Sequence, residues 1–349
     1  MTTLSPVKTN EFKKLRSTVH RYIRSCQRDD GAILWFKDGK LDPWDHTEAA
    51  MGLTIAGDFD AAKKAFQWLK ENQNADGSWF AKYYSDEQDN DNDRKKIETN
   101  FVAYPACGLW HYFLVTEDKA FCDALFPTIV KAINFVLKHQ GREGEILWAT
   151  SSVESLPKDA LVTASASILR SIECAILLAD ALNISHDWQN AYMQLAHALK
   201  NKPWRFDRTW EPKTRFSMDW FYPILSGIYT EQEARARLHA RKYEFIQPSY
   251  GCRCVSDQPW VTIAESCELT LALIASHQQK EAEEMFRKLL RWQDRDGGFW
   301  TGFQFKEQVI WPKEKTTWTA AAVLLAADAL YNHTKASQIF TQPSHLYFT

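Results

Sequence analysis

A short turn element that recurs along the chain limits its folding choices more than any other feature. The clearest copies are residues 73–79 (QNADGSW) and 293–300 (QDRDGGFW), with looser copies at 27–35 and 140–148. Each copy follows an amphipathic stretch. Glycine adopts a positive φ without a Cβ clash, so each copy predicts a helix end followed by a turn. Recurrence of such a unit indicates a repeat architecture.

Two classes of segment alternate between these turns. Amphipathic segments predict outer helices, and segments that are apolar on nearly all sides predict helices buried between other elements. The outer candidates are Phe12–Cys26, Asp60–Asn72, Phe121–His139, His186–Asn201, Thr230–Tyr243 and Gln279–Trp292. The buried candidates are Thr47–Ala56, Phe101–Val115, Val162–Leu182, Ser217–Tyr229, Ile263–Ser276 and Thr317–Tyr331.

Six buried and six amphipathic helices in alternation predict an all-α fold, an (α/α)6 toroid with six inner and six outer helices. An open solenoid would need polar capping repeats, and neither end of the chain shows one. We therefore predict a single α/α-toroid domain over residues 1–349. The best strand-like run, 245–255, predicts a hairpin between helices.

Composition narrows the function classes. The formal net charge is -2 and no Lys/Arg block stands out, which argues against a nucleic-acid partner. The N-terminus shows no apolar signal segment, and no run of about 18 apolar residues predicts a membrane span. Seven scattered cysteines are typical of reduced thiols, so we expect a cytoplasmic protein. Peripheral membrane contact stays open.

The turn element resembles known families. The copy at 73–79 is similar to the QW motif of squalene and oxidosqualene cyclases. The copy at 293–300 looks like the corresponding turn of protein prenyltransferase β subunits. This resemblance to the terpenoid-cyclase and prenyltransferase superfamily covers most of the chain as repeat architecture. It implies an α/α toroid, and a fold alone does not imply an activity.

The starts of the inner helices are the places to look for a site, because in a toroid they open into one central cavity. They carry acids with aromatic residues close by, and capping of the helix dipole is the alternative explanation of those acids. The catalytic candidates are Asp45, His46, Glu48, Glu98, Asp219 and Glu265. The candidates for an aromatic substrate-binding wall are Trp44, Tyr104, Trp110, Trp220, Trp260, Trp311 and Trp318.

Residues 45–48 (DHTE) resemble the protonating motif of class II terpene cyclases, with Asp45 at the proton-donating position. They depart from it at Pro43 and His46, where that motif has aspartates. The resemblance implies protonation of a hydrophobic isoprenoid by a buried acid, with aromatic faces stabilising a carbocation. Class II cyclases usually build the site between two helical domains. A lone toroid would need a loop such as Ser85–Lys96, or a partner subunit, to close its cavity.

The sequence contains only weak indications of a cofactor-binding site, and we predict no cofactor. The prenyltransferase resemblance implies zinc, and Glu265 and Cys267 match half of that ligand set, but Trp318 stands where a histidine is required. Cys252 and Cys254 have the wrong spacing for a zinc pair. The acidic stretch Asp86–Asp93 offers a magnesium alternative, although a plain acidic loop explains it more simply.

Two other functions remain open. Carbohydrate-active (α/α)6 enzymes use paired carboxylates and aromatic faces, and Asp45, Glu98, Asp219 and Glu265 could supply such a pair for a glycan. The QW-like turns argue against this function, because glycosidase toroids do not need them. The other alternative is a non-catalytic toroid that binds a peptide or a partner domain.

Overall fold

The computed structural model describes residues 6–84, 95–151, 158–208 and 212–348, and the side chains from residue 10 onward. Within these residues, outer and inner helices alternate as predicted and confirm the (α/α)6 toroid. The outer helices are α1 (Pro6–Ser25), α3 (Phe59–Glu71), α6 (Lys119–Leu137), α8 (Gln189–Asn201), α10 (Glu231–Phe245) and α12 (Gln279–Leu289). The inner helices are α2 (Pro43–Ala56), α4 with α5 (Thr99–Ala103, Pro105–Thr116), α7 (Val162–Leu182), α9 (Ser217–Phe221), α11 (Ile263–Ala275) and α13 (Thr317–Tyr331).

The turn element packs neighbouring outer helices together. The Nε2 group of Gln73 donates to the Gly77 carbonyl (2.9 Å) in its own turn and to the Thr128 carbonyl (2.9 Å) on α6. In the last copy, Gln293 donates to the Gly297 carbonyl (3.1 Å) and to the Thr18 hydroxyl (2.8 Å) on α1. The last turn therefore bonds the first outer helix, and the ring is closed.

The turn glycines are required for this packing. Gly77 has φ +98°, and an added Cβ would collide with the Lys131 carbonyl of α6, whereas Gly57 has φ +85° with open space around it. We expect Gly57→Ala to cost about 1 kcal/mol of unfolding free energy through backbone strain alone. Gly77→Ala should cost about 1–3 kcal/mol more, because the outer helix must move. Chemical denaturation of both variants checks this, and equal losses would contradict the packing role.

Strands extend the loops that lead into the inner helices. β1 (Lys96–Glu98) pairs with β2 (Ala149–Ser151). The expected hairpin is the first part of a five-stranded antiparallel sheet in the order β3 to β7. Its strands are Ile246–Gln247, Gly251–Arg253, Trp260–Thr262, Gly302–Gln304 and Val309–Ile310. This sheet stands beside the starts of α11 and α13 and shapes that side of the cavity mouth.

Among the described residues, two helices, α6 and α7, are long and apolar enough to cross a membrane by length and composition alone. The apolar window of α7 is 83% buried inside the protein and that of α6 is 50% buried. Core packing accounts for the apolar character of α7, because inner helices of a toroid contact other helices on most sides.

The C-terminal segment, residues 334–348, packs across the far end of the ring. The buried Arg170 of α7 donates to the carbonyls of Leu225 (2.9 Å) and Gln342 (3.0 Å), and its Nη1 lies 2.6 Å from Glu173 Oε2. Glu173 in turn accepts the His345 backbone N–H at 3.0 Å. One buried ion pair thus connects an inner helix to the C-terminal segment.

Candidate active site

A cavity of about 420 Å³ lies where the inner helices begin. Its wall combines carboxylates with large aromatic rings, and the remaining positions are mostly small or apolar. The carboxylates are Asp42, Asp45, Glu98 and Glu314, and the aromatic residues are Trp35, Trp44, Phe101, Trp148 and Trp318. A concave site with a few polar groups on an apolar wall is the usual form of a small-molecule site.

Asp42 is held by the start of α2. It is the N-cap, and its Oδ1 accepts the Asp45 backbone N–H at 2.9 Å. Its Oδ2 accepts the indole N–H of Trp35 at 2.6 Å. Burial raises the pKa of Asp42 to about 6, against the opposing effect of these donors. Both carboxylate oxygens of Asp42 accept hydrogen bonds, so Asp42 orients the Trp35 ring and the start of α2.

Asp45 differs from Asp42 in its hydrogen bonding. Its side chain is 6% exposed, and Oδ2 is buried with no hydrogen-bond partner among the described residues. Burial, reinforced by the negative charges of Asp42 and Glu48, raises the pKa of Asp45 well above its ordinary value. A carboxyl group held protonated in this way can donate a proton near neutral pH.

Glu48 lies one helical turn after Asp45 on α2, and its carboxyl group accepts a hydrogen bond from a residue outside that helix. It accepts the Tyr104 hydroxyl at 3.0 Å, and the Tyr104 ring stacks on Trp44 with centroids 4.2 Å apart. Burial raises the pKa of Glu48 to about 8. Glu268 is buried close by, and burial together with the charge of Glu48 raises its pKa well above the ordinary value. Buried acids with raised pKa values thus lie beneath the cavity.

The raised pKa of Glu48 makes stability depend on pH. The folded state holds a proton that the unfolded state releases near pH 4.5, so stability falls as pH rises from there to about 8. Gln does not titrate and still accepts from Tyr104. We therefore expect Glu48→Gln to gain melting temperature over the wild type between pH 5 and 9, by roughly 2 °C or more at pH 9.

Thermal melts across this range check the expectation. Glu284→Gln, on the exposed face of α12, is the control and should give a constant difference from the wild type. A difference for Glu48→Gln that is also flat with pH would show that Glu48 is ionised in the folded protein.

Glu265 occupies the same position on α11 as Asp45 does on α2, the third residue of an inner helix. Its side chain is 7% exposed, and its Oε2 is buried with no partner among the described residues. Burial raises the pKa of Glu265, opposed by its neighbours Thr262 and Cys254. The starts of α2 and α11 thus each hold a carboxyl group with a buried oxygen that has no partner among the described residues; Asp45 lines the cavity, and Glu265 does not.

Comparison of the sequence with known proteins identifies the family of this chain. The chain is 42% identical over 319 residues to an MMP endo-(1,4)-3-O-methyl-alpha-D-mannosidase of Mycolicibacterium hassiacum, a match that covers 91% of this chain and 86% of that protein. The chain belongs to the family of that mannosidase. No protein-family model matches it.

Solved structures agree on the fold. A wild-type glycosidase superposes with a TM-score of 0.70 at 13% identity and covers 95% of this chain and 100% of its own. A D-mannose isomerase has the same TM-score and identity, with 95% and 99% covered. At this identity the likeness concerns the fold alone.

Membership of the mannosidase family corrects the terpenoid-cyclase and prenyltransferase resemblance. The chain belongs to a carbohydrate-active family, so the predicted protonation of an isoprenoid by Asp45 was wrong, and so was the predicted isoprenoid substrate. The weight given to the QW-like turns caused the error. Their glutamine and glycine bond neighbouring outer helices, and this packing role is independent of what the cavity binds.

Several predicted site residues do not line the cavity, namely His46, Asp219 and Glu265. His46 is fully buried, where Nδ1 accepts the Ile33 N–H (3.0 Å) and Nε2 lies 2.9 Å from the Ala65 carbonyl. Burial lowers the pKa of His46 to about 4, so the ring is neutral and serves packing. The backbone carbonyl of Asp219 accepts a hydrogen bond from Arg237 at 2.8 Å, and burial raises the pKa of the Asp219 carboxyl group to about 6.

Only some of the aromatic residues predicted to bind substrate line the cavity. Trp44 and Trp318 line the cavity, and Tyr104 stacks behind Trp44. Trp110 stacks on Phe113, and Trp220 packs on Phe245 below the cavity wall. Trp260 and Trp311 lie on the five-stranded sheet beside the mouth. Glu98 lines the cavity and is paired with Lys96 at 2.8 Å.

The lining residues that were missed from the sequence include two carboxylates, Asp42 and Glu314, and two indoles, Trp35 and Trp148. Asp42 had a usable signal, because an acid directly before Pro43 is a typical helix N-cap. Trp35 and Trp148 end the two looser turn copies, and both face the cavity, whereas Trp79 of the tight copy is fully buried and donates to the Leu69 carbonyl. Glu314 lies on a loop without any motif.

The absence of a metal cofactor remains a prediction. The described residues contain no group of three potential ligands, and Asp86–Asp93 lies outside them, as does most of the proposed closing loop Ser85–Lys96. The cytoplasmic location, the single-domain assignment, the peripheral membrane contact and the closing partner subunit also remain predictions.

Proposed function

We propose that this protein is an endo-acting glycoside hydrolase that cleaves internal (1,4) linkages of a 3-O-methyl-α-D-mannoside chain. The observation that carries the proposal is Asp45, a carboxyl group with a free buried oxygen on an aromatic cavity, in a chain 42% identical to an endo-mannosidase of that specificity. Glycan binding, the earlier alternative, thereby replaces the hydrophobic isoprenoid as the proposed ligand.

Asp45 serves as the general acid. Glycoside hydrolysis needs one protonated carboxyl group to protonate the leaving oxygen and one carboxylate to act at the anomeric carbon, directly or through a water. Asp45 stands closer to other negative charges than Glu265 does, since Asp42 and Glu48 both raise its pKa. Asp45 therefore keeps its proton to higher pH.

Glu265 is the second carboxylate; it does not itself line the cavity, but the start of its helix is bonded to the lining residue Thr301, whose carbonyl accepts the Ile263 N–H at 3.1 Å. Of the other acids near the cavity, Asp42 already accepts two hydrogen bonds, and Glu98 is paired with Lys96. Glu314 stands on a loop, whereas Glu265 stands on an inner helix, which positions a side chain more accurately. The polar neighbours of Glu265 oppose the rise in its pKa, so it loses its proton before Asp45.

The cavity wall suits a methylated sugar. Indole faces at Trp44, Trp148 and Trp318 offer apolar surface to the C–H face of a sugar ring and to a methyl ether. Asn100 Oδ1 is buried without a partner among the described residues and faces the same cavity, where it can accept a hydroxyl proton. An unmethylated mannoside would leave part of the apolar wall unfilled.

Incubation with α-(1,4)-linked oligosaccharides of 3-O-methylmannose tests the proposal, with the unmethylated series as control. We expect shorter internal fragments from the methylated chain, rather than single sugars released from an end, and slower cleavage of the control. The anomeric form of the first product reports whether Glu265 acts directly or through water. Absence of cleavage in both series would refute the proposed function.

A further inference from the structure

Two tryptophans that do not line the cavity stand together beside its mouth. Trp260 begins β5, and Trp311 directly follows β7. Their rings meet edge to face, with centroids 5.0 Å apart and an interplanar angle of 73°. The side of this pair that faces away from the sheet is open, because Trp311 is 54% exposed. We call the pair the tryptophan platform.

The backbone holds the tryptophan platform in place. The indole N–H of Trp260 donates to the Trp311 carbonyl at 2.8 Å, and the Trp311 backbone N–H donates to the Gly302 carbonyl at 3.1 Å. A Cβ at Gly302 would collide with the Trp260 indole nitrogen, so the glycine is needed for this close approach. An exposed ring fixed in this way loses little conformational freedom when it binds.

The platform continues the cavity wall. Thr301, directly before Gly302, lines the cavity, and so does Glu314, three residues after Trp311. The Thr301 N–H donates to the Glu314 carbonyl at 3.0 Å and joins the two segments. Three residues span at most about 11 Å, so a short oligosaccharide emerging from the cavity can reach the platform.

We propose that the tryptophan platform binds sugar units of the substrate chain that lie outside the cavity. This inference rests on the proposed function, because an enzyme that cuts within a chain has several sugar units to hold on both sides of the cleaved linkage. A cavity of about 420 Å³ accommodates few units, and the rest of the chain must cross its mouth. The exposed indole of Trp311 offers these units a flat apolar face, and their methyl ethers increase the contact.

The test compares substrates of different length. Trp311→Ala, Trp311→Phe and the wild type are assayed on the shortest methylated oligosaccharide that the wild type cleaves and on chains several units longer. For Trp311→Ala we expect kcat/KM to fall about tenfold on the long chains, with little change on the shortest one. Trp311→Phe keeps a flat ring and should retain most of the preference for length.

The control variant is Phe59→Ala, an aromatic residue 39% exposed at the start of α3, at the other end of the toroid. It should leave the length dependence unchanged. If the wild type cleaves the long chains and Trp311→Ala loses nothing on them, the platform is refuted and the proposed function stands. If the wild type cleaves no chain, both are refuted. A change of oligomeric state in Trp311→Ala without a change in length dependence would assign the platform to protein contact.

Discussion

Replacing Asp45 by Asn should lower turnover of the methylated oligosaccharides by about 10³-fold or more while the protein stays folded. Asn has the same shape, but it cannot donate a carboxylic proton to the leaving oxygen. The loss should be in kcat, because the asparagine side chain would still fill the same place in the cavity wall. Steady-state kinetics with a thermal melt for each variant measures both effects.

The leaving group makes the Asp45 test specific. A substrate whose leaving group is already acidic needs no proton, so Asp45→Asn should recover much of its activity on an aryl glycoside of the same oligosaccharide. Glu265→Gln should lose activity on both substrates, because its proposed task is at the anomeric carbon. Equal losses by Asp45→Asn on both substrates would remove Asp45 from the role of acid.

Asp219→Asn is the matched control. Asp219 is also the third residue of an inner helix, is 7% exposed and has a buried oxygen without a partner among the described residues. Unlike Asp45 it does not line the cavity, and unlike Glu265 it lies near the positive charges of Arg237 and Arg241. Turnover should therefore remain at the wild-type value. A loss as large as that of Asp45→Asn would mean that helix position, rather than the cavity, decides which acids matter.

Replacing Arg170 by Met should cost about 3–5 kcal/mol of unfolding free energy, because Glu173 is left as an uncompensated buried charge. The side chains of Arg170 and Glu173 are 7% and 1% exposed, so water cannot replace the lost partner. The C-terminal segment also loses the bond to the Gln342 carbonyl. Chemical denaturation, together with limited proteolysis near the C-terminus, measures the effect.

Two further variants define the cause of the Arg170 effect. Arg170→Met with Glu173→Leu removes both charges and should be more stable than Arg170→Met alone. Arg215→Met breaks an exposed pair with Asp257, whose side chains are 43% and 56% exposed, and should cost less than about 1 kcal/mol. A double variant no more stable than the single one would attribute the loss to the backbone hydrogen bonds rather than to the unpaired charge.

The sequence alone determined the ring of helix pairs. The apolar and amphipathic periodicities are local, so all six outer and six inner segments could be read from the chain, and each turn glycine reports its own positive φ. The sequence also placed Asp45 and Glu265 at inner-helix starts, because a helix start has a local signature.

The tertiary structure decided which acids and rings face the cavity. Asp45, Asp219 and Glu265 share the same helix position, and only the packing of neighbouring helices brings Asp45 to the aromatic wall and Asp219 near the charges of Arg237 and Arg241. Glu314 reaches the cavity through a long-range pairing with Thr301 that no local pattern encodes. Side-chain direction depends on contacts between residues far apart in sequence, and the choice between an isoprenoid and a glycan depends on those contacts as well.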